Sequence, residues 1–323
     1  MLSYEELCRH SAAFPSLTGM TRAEFDELLP RFDQAEADLR ANSGTTRKDK
    51  KPRQRAAGAG RRYENGPAGR LLMALMWLRV YPTYEVLGFF FALHKRNAQL
   101  NVIDALEVLD SLSDFPFGRP GPDRKKARSA AEVMAAFPQV RVIIDAKEQR
   151  INKPQGEERQ KPYYSGKKKA HTIKTQVVID TRGRIEAVSE SVPGSTHDLT
   201  LLVNTGVLGG GGGGGGGGLG EGEGAMMDKG YVGVGNHYPG VPVVLPFKKP
   251  RKAELSEEQK GHNREVARHR IVVEHVMAQL NRFTVLRQVF RGKRRDRHSK
   301  VTRVVAKVVN RRLAVTPLKT HAA

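Results

Sequence analysis

Three acidic residues stand where a fold of strands and helices would gather carboxylates. Asp145 closes a predicted strand, Val140-Arg141-Val142-Ile143-Ile144, and Asp228 closes a shorter apolar step, Ala225-Met226-Met227. Glu274 lies in a helical stretch that is otherwise apolar through Ile271, Val272 and Val276. Acids at the ends of neighbouring strands and on a helix packed across them can converge on one point. Two divalent cations held there about 3.5–4 Å apart would stabilise both the attacking and the leaving oxygen of an in-line phosphoryl displacement. Oxygen ligands favour Mg²⁺ or Mn²⁺, because the chain offers no cysteine cluster and no closely spaced histidine pair. Each acid alone also has an ordinary structural reading. Asp145 can begin a turn, Asp228 before Lys229-Gly230 can be a turn residue, and Glu274 can pair with Arg270 one helical turn earlier.

The elements that must position these acids follow from patterning. Strand texture starts at Val140 and returns over residues 171–180 (HTIKTQVVID) and 184–191 (RIEAVSES), with short connections that predict an antiparallel meander. A helix opens at Thr196 or His197 and runs through Leu199, Leu201 and Leu202. Residues 241–247 read as a further strand. Ser256 and Gln259 then form a capping box for a helix, with a break expected near Gly261-His262-Asn263 before it resumes at Ile271. Upstream, Thr21 caps a helix through Phe25, Leu28 and Leu29. Residues 70–79 (RLLMALMWLR) are apolar almost all round, as in a buried helix. Pro82 ends that helix, Thr83 caps a short second one through Val86, Leu87 and Phe90, and residues 95–109 form a third. The third begins with Lys95, Arg96 and Asn97, so the pair reads as a helix-turn-helix offering polar side chains to a major groove; a helical bundle used for dimerisation shows the same apolar spacing.

Charge supplies the partner. The 323-residue chain carries 55 Lys and Arg against 34 Asp and Glu, a net +21. Residues 47–62 hold eight basic side chains and one acid, and residues 282–312 hold twelve and one, so most of the excess lies in two stretches. With Lys167, Lys168 and Lys169 between them, these favour a phosphate backbone over a membrane surface, for which no amphipathic or lipidated anchor is present. The single cysteine, Cys8, excludes an intramolecular disulfide framework and suits a reducing cytosol. No apolar run approaches the roughly 20 residues of a membrane span, and Glu5 and Glu6 precede any apolar stretch, unlike a signal peptide. Of 33 glycines, ten form one block at residues 209–218, which is expected to be unstructured and to loosen the anchoring of the Asp228 strand.

Five motifs occur in order: IIDAKEQRI (143–151), YYSGKKKAHTIKTQVVID (163–180), PGSTHDLTLL (193–202), DKGYVG (228–233) and RIVVEHVMAQLNRF (270–283). Together they resemble the DDE transposases of bacterial insertion sequences, in the group typified by insertion sequence five. The stretch LMWLRVYPTYEVLGFFF is similar to the helix-turn-helix that precedes the catalytic domain there. The resemblance implies an α/β (α+β) fold, a ribonuclease H-like domain with a mixed sheet flanked by helices, preceded by an all-α helix-turn-helix domain. The expected boundaries are a helical segment at 1–46, a basic linker at 47–69, the helix-turn-helix at 70–125 and the catalytic domain at 138–318 with a disordered insert at 209–224.

The resemblance further implies that Asp145, Asp228 and Glu274 are catalytic and, with Asp198 of the STHD motif, hold two Mg²⁺ or Mn²⁺ ions. Hydrolysis of a phosphodiester at the element end is then followed by attack of the freed 3′-hydroxyl on target DNA. Lys167, Lys168, Lys169, Arg270 and Arg282 are expected on phosphates, and Lys95, Arg96 and Asn97 on bases. The implied partners are double-stranded DNA, as terminal inverted repeats and target, and further copies of the chain in a homodimer or larger complex on DNA. The implied location is the bacterial cytoplasm at the nucleoid. The alternative is an inactive or domesticated DNA-binding derivative. Asn281 departs from the pattern, since a basic residue commonly stands seven positions after the Glu; Arg282 is its neighbour.

Overall fold

A computed structural model describes residues 1–42, 65–112, 133, 135–209 and 219–315. Most of the basic linker and of the glycine block lies outside the described residues. The helices are α1 (Tyr4–Cys8), α2 (Ala13–Thr18), α3 (Arg22–Asn42), α4 (Pro67–Val80), α5 (Tyr84–Phe91), α6 (Lys95–Ser111), α7 (Glu157–Gln160), α8 (Asp198–Thr205), α9 (Val234–His237), α10 (Glu257–Asn281), α11 (Thr284–Arg287) and α12 (Arg295–Val315). The strands are β1 (Val140–Arg150), β2 (Tyr164–Ser165), β3 (Ala170–Asp180), β4 (Ile185–Val188), β5 (Val192–Pro193), β6 (Gly224–Met226) and β7 (Val243–Val244). The chain divides into two compact units, Met1–Pro116 with Arg282–Val285, and the remainder.

The first unit is helical around α4, whose residues 70–78 are all buried. Such a helix can carry no polar stripe, and its one buried charge, Arg70, is matched by buried Glu36 of α3. Pro67 starts α4, and Tyr81 ends it in the left-handed conformation just before Pro82. Thr83 caps α5 by accepting from Val86 N at 3.3 Å, and the Thr21–Glu24 box opens α3. Between α5 and α6 the chain turns so tightly that a Cβ on Gly88 would lie 2.4 Å from Leu93 O, a place only glycine can occupy.

The second unit is a mixed sheet in the order β2-β3-β1-β6-β7, with β4 and β5 also paired to β3. β1, β3 and β4 form the expected antiparallel meander, while β6 lies parallel to β1. Both faces are covered. Val142, Ile144 and Val178 pack with Leu202 of α8, Met227 and Tyr231 on one side. On the other, α10 lies against β1 and α12 against β4, burying Val273, Val276, Leu280, Val305 and Val309.

Three expectations are corrected. Asp145 does not close its strand, since β1 stays paired with β3 from Val142↔Asp180 to Arg150↔Thr172. α10 has no break at Gly261-His262-Asn263; it is one helix of 25 residues. The strand expected over residues 241–247 is only Val243–Val244, because Phe247 N and O bond instead to the Asn263 carboxamide at 2.7 and 3.1 Å.

Candidate active site

The parallel pairing of β1 with β6 sets two acids side by side. Ile143 is opposite Met226, and Asp145 and Asp228 each stand two residues further along in the same direction, on the same face by alternation. Asp228 keeps an extended backbone and caps the turn Lys229–Tyr231, accepting from Gly230 N at 2.8 Å. α10 crosses this face and brings Arg270 Nη2 to 3.6 Å from Asp145 Oδ1. Burial pushes the Asp145 carboxyl up to about 6; Arg270 and the Ala146 N–H oppose that rise, while the charges of Asp228 and Glu274 add to it. Glu274, one turn after Arg270, is therefore within electrostatic reach of Asp145, with its own side chain exposed. Arg270 pairs with Asp145 across elements rather than with Glu274 on its own helix, and its Nε is buried with no hydrogen-bond partner among the described residues.

The fourth acid approaches from the other face of the sheet. Asp198, the first residue of α8, meets Lys174 Nζ at 2.7 Å, and the same ammonium lies 3.6 Å from Glu148 and donates to Thr196 O at 2.6 Å. Gly230 passes between the two sets of acids. A Cβ there would fall 2.5 Å from Asp198 Oδ2 and 2.9 Å from Asp228 Oδ1, so the close approach depends on glycine. Tyr231 next to it is fully buried; burial raises its phenol, and Asp198, Asp145 and Asp228 raise it further, so the hydroxyl stays neutral.

Sequence reasoning missed Lys147. It follows Asp145 by two residues on the same face of β1, and its ammonium is held by the Asn281 carboxamide oxygen at the end of α10. Burial, together with nearby Lys168, pulls this ammonium down to about 8. Strand alternation from Asp145 was the available signal. The other expected cations stand on separate elements. Lys167, Lys168 and Lys169 are exposed on the turn between β2 and β3. Arg282 belongs to the first unit, where its carbonyl accepts from Arg79. Lys95, Arg96 and Asn97 are exposed on the first turn of α6, also in the first unit.

All candidate metal ligands are carboxylates, the donor set of a hard divalent cation. They fit one by chemistry rather than as a finished cage: among the described residues, no three His, Cys, Asp or Glu side chains are gathered closely enough to hold an ion. Arg270 supplies the counter-charge to Asp145 in this arrangement.

Comparison with known proteins identifies the family. Residues 144–310 match the family described as DDE superfamily endonuclease. The chain is also 29% identical over 302 residues to a probable transposase for insertion sequence element IS702 from Microchaete diplosiphon, covering 94% of this chain and 95% of that one. No solved structure matches it significantly.

Proposed function

Because the chain belongs to the DDE superfamily of endonucleases, we propose that it is an insertion-sequence transposase that binds terminal inverted repeats and carries out metal-dependent DNA strand cleavage and strand transfer. The observation that carries this reading is the placing of Asp145 and Asp228 at one level of parallel strands, on the face that α10 crosses with Arg270 and Glu274.

Asp145, Asp228 and Glu274 would hold the metal, with Asp198 close by. A bound divalent cation, Mg²⁺ or Mn²⁺ and two per site in this reading, supplies charge neutralisation at the phosphoryl oxygens and activation of the attacking oxygen. The protein does the rest by position. Tyr231 and the apolar residues beneath the acids keep water from that side. Gly230 lets Asp198 and Asp228 approach one backbone segment. Arg270, paired with Asp145, is the cation of α10 that would face the phosphate. Lys167, Lys168, Lys169 and Arg282 would add backbone contacts without sequence information.

In the first unit, α5, the glycine-dependent turn at Gly88 and α6 suit a helix-turn-helix, with Lys95, Arg96 and Asn97 at the end that would meet bases. Joining two DNA ends calls for a homodimer or larger assembly on DNA, working in the bacterial cytoplasm at the nucleoid. No described helix is long and apolar enough to cross a membrane.

The test is Asp228→Asn. Cleavage of the terminal repeats in Mg²⁺ should disappear while DNA binding is nearly unchanged; retained cleavage refutes the triad. The second reading is a DNA-binding derivative without catalysis. Under that reading the wild-type chain binds the repeats and never nicks them.

A further inference from the structure

Two lysines of the sheet, Lys174 buried and Lys147 half-buried, are treated differently. Lys174, 6% exposed, lies between the carboxylates of Glu148 and Asp198, so its charge is matched within the protein. Lys147 of β1 has no carboxylate partner among the described residues; it is held by the neutral carboxamide of Asn281. The acid of β1 on its face, Asp145, is already paired with Arg270. Lys168, from the turn after β2, is near enough for the two ammonium groups to repel one another. Largely buried cations are normally paired. Here two cations repel one another, and one is aimed by a carboxamide whose own charge is zero.

We infer that Lys147, aimed by Asn281 and joined by Lys168, binds a DNA backbone phosphate beside the acid site. Strand geometry puts Lys147 about 6.5 Å along β1 from Asp145 on the same face, at roughly 3.3 Å per residue. Charges on one DNA strand recur every 3.4 Å along the axis, so the phosphate at Lys147 is about one or two nucleotides from the one at Asp145. This also gives Asn281 a purpose: the cation near the end of α10 is supplied by the strand, and the helix supplies the group that orients it. The inference rests on reading the acid site as the place where DNA is cut.

The experiment uses the full chain and a random-sequence DNA duplex, with Ca²⁺ in place of Mg²⁺ so that the acids engage DNA without cutting. Affinity is followed by fluorescence anisotropy over a salt series. Lys147→Gln should weaken binding and reduce the slope of log K against log salt by about 0.9, the value for one lost phosphate contact, and Lys147→Arg should restore the slope. Asn281→Ala keeps the ammonium but removes the carboxamide that aims it and should lower the slope as well, and this second variant decides the matter if Lys147→Gln fails to fold. An unchanged slope in a folded Lys147→Gln, or in a folded Asn281→Ala, overturns the proposal whatever happens to cleavage. Conversely, full cleavage by Asp228→Asn alongside reduced slopes refutes the triad and leaves the phosphate contact standing.

Discussion

The most quantitative consequence of the fold concerns His298 of α12, which is 3% exposed. Its Nε2 is 2.9 Å from Gln149 Oε1 and its Nδ1 2.7 Å from Ser191 Oγ, while Phe290 closes edge-on at 4.9 Å between ring centroids. A neutral ring satisfies this setting, with Nε2–H donating to Gln149 and the Ser191 hydroxyl donating to Nδ1. Burial lowers the imidazole from its ordinary 6.5 to about 3, and Lys147 pushes the same way. A base with a depressed native pKa gives stability that is complete above 6.5 and is lost as pH falls towards 3, because only the unfolded chain takes the proton in that window. The loss is about 1.4 kcal/mol per pH unit, or about 2.5 kcal/mol between pH 7.5 and 4.5. The perturbation is His298→Gln. At pH 7.5 the variant should be less stable by about 2–3 kcal/mol, through partners left unsatisfied and lost volume. The variant cannot protonate, so the gap should close almost completely by pH 4.5. Urea unfolding followed by circular dichroism at a series of pH values measures it. A gap that stays constant over this range would show that the wild-type ring is not held neutral, and would refute the argument.

Two further substitutions address the acids. Gly230→Ala forces a methyl into the space between Asp198 and Asp228, where it would lie 2.5 and 2.9 Å from their oxygens. Nicking in Mg²⁺ should fall about 100-fold, since a displacement of about 1 Å at a reacting centre costs that much, with the thermal transition retained; wild-type rates would show that the two acids need not approach this segment. Lys174→Met removes the cation between Glu148 and Asp198, where the lysine side chain is 7% exposed. Breaking a buried pair by removing one partner costs about 3–5 kcal/mol, and Asp198, 23% exposed, puts the expectation near about 3 kcal/mol by urea unfolding. A loss below about 1 kcal/mol would mean that water already screens the pair.

What the sequence made legible was local. Caps depend on a few adjacent side chains, so Thr83 before α5 and the Ser256–Gln259 box before α10 were readable, and both close as expected. What it hid was satisfied from a distance. Residues 145–150, Asp-Ala-Lys-Glu-Gln-Arg, look like the end of a strand because four of them bear a charge and one an amide. They remain strand because Arg270 meets Asp145, Asn281 meets Lys147, Lys174 meets Glu148 and His298 meets Gln149, all from elements later in the chain. The same reason keeps α10 whole past Gly261. His262 Nε2 bonds Leu245 O at 3.0 Å and Asn263 brackets Phe247, contacts that outweigh poor local propensity. The acids at 145, 228 and 274 could be picked out singly. Their common face needed the parallel register of β1 with β6, which no pattern in the sequence states.

That register also bears on the glycine-rich stretch. The expectation was that it loosens the strand leading to Asp228, and its described end points the other way. Residues 220–223 form a turn in which Gly220 N donates to Glu223 Oε2 at 2.9 Å, and Gly224 is already the first residue of β6. A Cβ on Gly224 would lie 2.2 Å from Pro242 O, so this glycine is required by a close approach rather than spare. Its N–H donates to Gln139 O at 2.6 Å, Ala225 N to Pro242 O at 2.9 Å and Met227 N to Val244 O at 3.0 Å. β6 is thus held on both edges, by β1 and β7, up to the residue before Asp228. Its position follows from these bonds and from burial of Ala225, Met226 and Met227, none of which the glycine block supplies. Loop length enters only through closure entropy, which changes by about 0.6 kcal/mol for each doubling. An aspartate that closely follows a strand paired on both edges keeps its level opposite Asp145 against a change of that size.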